Sequence, residues 1–211
     1  MHIAEGVLSP TVLGAGAALT LAGTAIGLRR LDTDKVMGAA LLSAAFFVAS
    51  LIHVPVGFTS AHLIGNGLVG IFLGWASFPA ILAALLLQAL LFQFGGVTVL
   101  GVNTFTMAFG AVLAHYVFRS VVRIFHGKKA LYAAAFLAGV LGVFFAAILT
   151  ALALSFSAEG FQTAAAALLL AHLPIMIAEG VITMFTVIFI ARVRPDMLDL
   201  AEMRGTEDSN R

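Results

Sequence analysis

Long apolar runs, interrupted by short clusters of Gly, Pro, Ser and charge, set the pattern of this chain. "FPAILAALLLQALLF" (Phe78–Phe92) contains no charged residue and no period-two alternation, which reads as helix rather than barrel strand. Read between its breakers, the pattern predicts helices over 7–28, 36–54, 62–75, 78–94, 98–120, 130–156 and 163–192. The third is short for a bilayer crossing, which needs about 20 apolar residues. It follows "HVPVGFTSAHL" (His53–Leu63), whose Pro55, Gly57 and Ser60 are loop formers. The expectation is a helix that starts inside the membrane behind a re-entrant loop. Such backbone survives at that depth only when buried in protein or lining a polar cavity. "FGGV" (Phe94–Val97) predicts a tight turn.

Composition turns this pattern into a class. Hydrophobic residues make up 62% and charged residues 10%, with a mean hydropathy of +1.10, where a soluble domain carries about 25% charge. The fold expected is all-α: a polytopic membrane bundle of about seven transmembrane helices over residues 1–194, with a polar cytoplasmic tail over 195–211. Net charge is +1 with no basic block suited to nucleic acid, and cysteine is absent, which removes disulfides and thiolate chemistry. No basic region precedes the first apolar stretch, so no cleaved leader is expected.

Charge placement predicts the orientation. Arg29, Arg30 and Lys35 follow the first helix; Arg119, Arg123, Lys128 and Lys129 surround the end of the fifth; Arg192 and Arg194 end the seventh. The opposite connections (1–6, 55–61, 95–97 and 157–162) hold no Lys or Arg. The positive-inside rule then places the N-terminus outside and the C-terminus in the cytoplasm. Met1, His2, Glu5 and the His53–Leu63 segment fall together at the outer mouth.

Among six histidines, His126 reads as a solvated loop residue and His115 as an interhelical hydrogen-bonding group. His172, two residues before Pro174, is placed to bond a carbonyl that proline frees. His53 reads either as a structural group or as an occasional ligand. His2 and His62 differ. His62 follows a Gly/Thr/Ser loop and is expected to open a helix. Histidine is the commonest side-chain metal ligand. A free amine on Met1, the His2 amide nitrogen and the His2 imidazole form fused chelate rings in one plane, because the peptide unit is planar. His62 completes a square of nitrogens, a geometry that suits Ni(II) or Cu(II) better than zinc. This requires Met1 to be retained and unformylated, as the bulky second residue favours. Glu5 orients a ligand or serves as an acid at a helix start. Asn66, four residues beyond His62 on the expected helix, and Asn103 are candidate supports for the ligands. Glu179 in "MIAEG" requires a partner or a proton at mid-membrane. That string repeats "HIAEG" (2–6), a match short enough to arise by chance in so biased a sequence.

"MHIAEGVLSP", "PVGFTSAHLIGNGLVGIFLG", "LLLQALLFQFGGVTVLGVNTFTM" and "AHLPIMIAEGVIT" closely resemble the CbiM/NikM family, the substrate-capture (S) components of energy-coupling-factor uptake transporters for cobalt and nickel. The resemblance extends to about Arg194. It implies that Met1, His2 and His62 hold the transported Ni(II) or Co(II), with no cofactor. It implies as partners a membrane coupling (T) subunit, two cytoplasmic ATPase subunits and often a small accessory membrane subunit, in a prokaryotic plasma or inner membrane. Ala4 stands where the family often has Met, and Phe58 where it often has Gly; neither change removes a nitrogen ligand. No "GxxxxGK[ST]" string occurs, so ATP hydrolysis falls to partners and no enzymatic activity is expected of this chain. The alternative reading is a stand-alone proton- or cation-coupled transporter, motivated by Glu5, Glu159, Glu179 and His172.

Overall fold

A computed structural model describes residues 2–51, 53–56, 59–63, 65–157 and 161–198; over 53–56, 59–62 and 161–162 it describes the backbone alone. Among the described residues seven α-helices form: α1 (Pro10–Arg29), α2 (Val36–Ala49), α3 (Asn66–Leu73), α4 (Ser77–Phe92), α5 (Leu100–Ile124), α6 (Lys128–Ser155) and α7 (Phe161–Val193). A two-stranded antiparallel hairpin, β1 (His53–Val56) and β2 (Thr59–His62), separates α2 from α3.

Local chemistry explains the helix ends. Ser9 caps α1 by accepting from the Val12 N–H at 3.4 Å, and Pro10 takes a first-turn position where its missing N–H costs nothing. The second apolar run predicts helix to residue 54, yet α2 stops at Ala49. The Ser50 hydroxyl turns back onto the Phe46 and Phe47 carbonyls at 2.7 and 3.1 Å, and Pro55 cannot continue a helix. The third run is corrected more deeply. His62 does not open a helix; it ends β2, and α3 starts only at Asn66, after Gly65 adopts a left-handed conformation (φ +68°). Asn66 therefore does not share a helix face with His62. The hairpin register pairs His62 with His53.

Length and composition pick out five stretches able to cross a membrane: α1, α5, α6, residues 163–193 and the continuous run Asn66–Phe92. That last run is not one rod. The Ser77 hydroxyl donates to the Val69 carbonyl at 3.3 Å, whereas eight residues of straight helix would separate them by about 12 Å. The chain reverses at Gly74–Ala76, where Gly74 takes φ +51° against the His115 ring, and α4 returns antiparallel to α3. The His115 Nδ1 bonds the Gly70 carbonyl at 3.0 Å, the interhelical role expected for it.

Helix α5 is the central post, packed by α1, α3, α4 and α6, while α6 and α7 form the most extensive pair. Small residues let these backbones approach. A Cβ on Gly139 of α6 would strike the Glu179 carbonyl and the Gly180 Cα of α7, the close packing that binds helices where burial of apolar surface gives no drive. Large apolar side chains such as Leu21, Leu41, Leu91, Leu170 and Phe189 face outward, as lipid-facing positions do. The loop histidine His126 is exposed.

Candidate metal-capture site

The N-terminal segment is buried in the bundle over His2 and Ile3 and then turns at Glu5 and Gly6. His2 is 6% exposed and Ile3 fully buried. Asn103, in the first turn of α5, treats Ile3 as a strand partner: its Oδ1 accepts from the Ile3 N–H at 3.0 Å, and its Nδ2 donates to the Ile3 carbonyl at 3.2 Å. A side-chain amide that satisfies both main-chain groups of one residue fixes the height and rotation of that residue, and so of its neighbour His2.

The imidazole is fixed separately. Gln88 of α4 is fully buried; its Nε2 donates to the Phe47 carbonyl at 3.1 Å and to the Ser50 hydroxyl. Ser50 in turn donates to the Phe46 carbonyl. With its NH2 group committed, Gln88 presents Oε1 to the ring, 2.8 Å from the His2 Nε2. An amide oxygen only accepts, so Nε2 carries a proton in this contact. Nδ1 is the ring atom that the short Cα–Cβ–Cγ path joins to the His2 amide nitrogen, so it is the one able to close a chelate ring with that amide. Phe94 stands beside the ring, with centroids 6.2 Å apart.

The turn below is built from glycine for a steric reason. Gly95 (φ +74°) lies against Asn103, the Ile3 carbonyl and the His2 ring, and a Cβ on Gly96 (φ +112°) would collide with the Glu5 side chain. Bare backbone with positive φ gives the N-terminal segment its floor. Glu5 is exposed and points away from the imidazole: its Oε1 accepts from the Thr98 N–H at 2.9 Å and the Thr98 hydroxyl at 3.0 Å, which hold its carboxyl below the usual 4.5. It clamps the segment to the start of α5.

Of the residues expected from sequence, His2 and Asn103 come together here, and Glu5 is adjacent but turned to Thr98. Asn66 is fully buried at the start of α3, where its Nδ2 donates to the Gly142 carbonyl at 3.4 Å; it sits against α6 and not on the His2 network. Met1, Phe58, Glu159 and the side chains of His53 and His62 lie outside the described residues. Among the described residues no group of three or more His, Cys, Asp or Glu converges.

Two buried ionisable residues sit deeper. Glu179 of α7 is 1% exposed, and its Oε1 accepts from the Gly65 N–H at 2.8 Å, at the N-terminus of α3 and three residues after His62. One partner is thus a backbone amide. The His172 Nδ1 donates to the Leu168 carbonyl at 2.7 Å; that group is not Leu170, whose carbonyl Pro174 deprives of an N–H donor.

Sequence reasoning passed over Gln88 and Ser50. The signal was present: Gln88 is the one polar side chain within "ILAALLLQALLF", and an amide in an apolar helix requires partners.

The chain is similar in sequence and fold to known membrane transport proteins. The family model described as "Cobalt uptake substrate-specific transmembrane region" matches residues 2–197. A putative metal transport protein of Haemophilus influenzae is 44% identical over 203 residues, covering 96% of this chain and 98% of the relative. A cobalt transport protein CbiM of Sorangium cellulosum is 36% identical, covering 94% and 95%. A fused nickel transport protein NikMN of Rhodobacter capsulatus is 33% identical over 94% of this chain and 64% of the relative. A crystal structure of a transition metal transporter superposes with a TM-score of 0.80 at 29% identity, over 97% of this chain and 100% of that one.

Proposed function

The chain belongs to the CbiM family of cobalt/nickel transport membrane proteins, and on that premise we propose that it is the metal-capturing subunit of an ATP-driven importer, taking up Ni(II) or Co(II) at the outer mouth. The ion is held by the Met1 amine, the deprotonated His2 amide, His2 Nδ1 and a His62 imidazole in one plane. A coupling subunit and two ATPases drive its release inward, with the basic connections facing the cytoplasm.

The observation that carries this reading is the hydrogen bond between Gln88 and the Nε2 of His2. Gln88 holds Nε2 and so orients the ring, and Nδ1 is the ring nitrogen that a terminal chelate requires. A partner on the far ring nitrogen is the usual way in which a ligating histidine is oriented. Asn103 and the Gly95–Gly96 floor hold the segment in place before any ion arrives, which lowers the ordering cost of binding. Glu179 anchors the end of the segment that carries His62 by holding the Gly65 N–H.

The proton-coupled alternative has less support. It needs carboxylates along a route, whereas Glu5 is exposed on Thr98 and Glu179 is engaged by the Gly65 backbone.

Titration of purified protein with Ni(II) tests the proposal. One residue added before Met1, or His2→Ala, is expected to weaken binding by at least ~100-fold, about 2.7 kcal/mol. Gln88→Ala is expected to weaken it by ~10–100-fold while leaving the ligands in place. Unchanged affinity on extending the N-terminus sinks the chelate. An octahedral rather than low-spin planar nickel spectrum overturns its geometry.

A further inference from the structure

At the end of the bundle remote from His2, the reversal between α3 and α4 lines a cavity of about 190 Å³ together with the end of α1, the middle of α5 and Met197. Its cationic lining is Arg30, Lys35 and Arg119, with His115 beside them, and among the described residues no carboxylate lines the wall. Asp32 and Asp34 lie in the same turn as Lys35 but do not line the cavity. The Arg30 guanidinium lies over the Trp75 ring, 5.7 Å from its centroid, and the Trp75 Nε1–H donates to the Tyr116 hydroxyl at 3.0 Å. The indole is thus fixed by one neighbour and in turn fixes the arginine.

We propose that this cavity is a binding site for a phosphate-bearing anion, specifically the head group of an anionic phospholipid. The Arg30 and Arg119 guanidinium charges, gathered in one partly enclosed space, repel one another, and a bound anion reverses the sign of that energy. The guanidinium fork matches phosphate oxygens, and its stacking on an aromatic face leaves its N–H edge to the ligand. The cavity is smaller than the ~300 Å³ from which drug-sized sites begin, which suits a head group and not a nucleotide. Trp75 and Tyr116 are the residue types that settle at the membrane–water boundary, and basic pockets between helices on the positively charged side are the kind that take acidic lipid heads. Such a ligand ties together three separate segments: the end of α1, the α3–α4 reversal and α5. This site does not depend on the metal-capture reading, since none of its residues belongs to the His2 network.

Trp75 is the chain's single tryptophan, so intrinsic fluorescence reads the cavity directly. Purified protein in neutral detergent is titrated with short-chain phosphatidylglycerol, short-chain phosphatidylcholine and inorganic phosphate, and native mass spectrometry counts the retained lipid. The expected result is a saturable spectral shift and one retained phosphatidylglycerol. Apparent affinity for phosphatidylglycerol should exceed that for phosphatidylcholine by ~10-fold or more and fall with salt, as charge recognition requires. Arg119→Gln should abolish retention and the shift without touching the Arg30–Trp75 stack, while Ni(II) binding and melting temperature stay at wild-type values. Equal responses to both lipids, no saturable response, or full retention in Arg119→Gln overturns the proposal. Saturation by inorganic phosphate with no preference between lipids overturns the lipid source in favour of a soluble anion.

Discussion

The strings at 2–6 and 176–180 differ by one residue, His2 against Met176, and meet opposite fates. In the first, the backbone is non-helical and turns at Glu5 and Gly6, Gly6 sits at φ +79° with open space around it, and Glu5 lies at the surface. In the second, the same Ile-Ala-Glu-Gly is interior helix; Gly180 is pressed against Phe136 and Val140, and Glu179 is buried. Yet both glutamates do one job: each accepts from the main-chain N–H of a residue near a helix start, Thr98 before α5 and Gly65 before α3. The lesson is energetic. An exposed carboxylate shares its acceptor duty with water, so its loss costs little. A buried one is the sole source of compensation for the amide that it faces.

The comparison is broken most strongly through the packing of the second string. Gly139→Leu forces a side chain into the Glu179 and Gly180 backbone, and is expected to cost at the top of the ~1–3 kcal/mol overpacking range, seen as loss of folded, monodisperse protein. A Gly139→Leu variant that melts like wild type would show that α6 and α7 have room to spare.

Glu179→Ala comes next. It strands the Gly65 N–H, with an expected loss of ~1–3 kcal/mol in stability. Ni(II) affinity should also fall, because the segment bearing His62 loses its anchor. Glu179→Gln, which keeps an acceptor oxygen, should recover most of both. If alanine lowers the melting temperature but leaves the metal affinity untouched, Glu179 supports the bundle and not the site.

Glu5→Ala is expected to have the smallest effect, with a melting temperature close to wild type at neutral pH. Because Thr98 lowers the carboxyl below 4.5, any stability it supplies is present above that pH and is lost as pH falls through the lowered value. Acid melts of wild type and Glu5→Ala should therefore converge in strong acid and separate slightly above it. A large separation at pH 7 would mean that the two strings differ less than their burial suggests.

Some of the site was legible and some was not, for identifiable reasons. His2 stood out because its chemistry is local: amine, amide and imidazole are neighbours on one planar unit. Asn103 was a candidate because a polar residue in an apolar helix is conspicuous. Gln88 met the same criterion and was passed over, since its role appears only when α2, α4 and the N-terminal segment are brought together; Gln88 and His2 are 86 positions apart. The strand position of His62 was hidden because an apolar run with Thr and Ser suits helix and strand alike, and Gly65 decides between them through its left-handed turn.

The sequence by itself determined most of the apolar helical runs, the class of protein and the separation of basic from uncharged connections, because apolar run length and charge placement act along the chain. Tertiary structure decided where the run 66–92 folds back, which nitrogen of the His2 ring meets Gln88 and what each of two near-identical strings does. Those outcomes depend on hydrogen bonds and close backbone approaches between distant segments, and in a bilayer such polar partners must be found inside the protein.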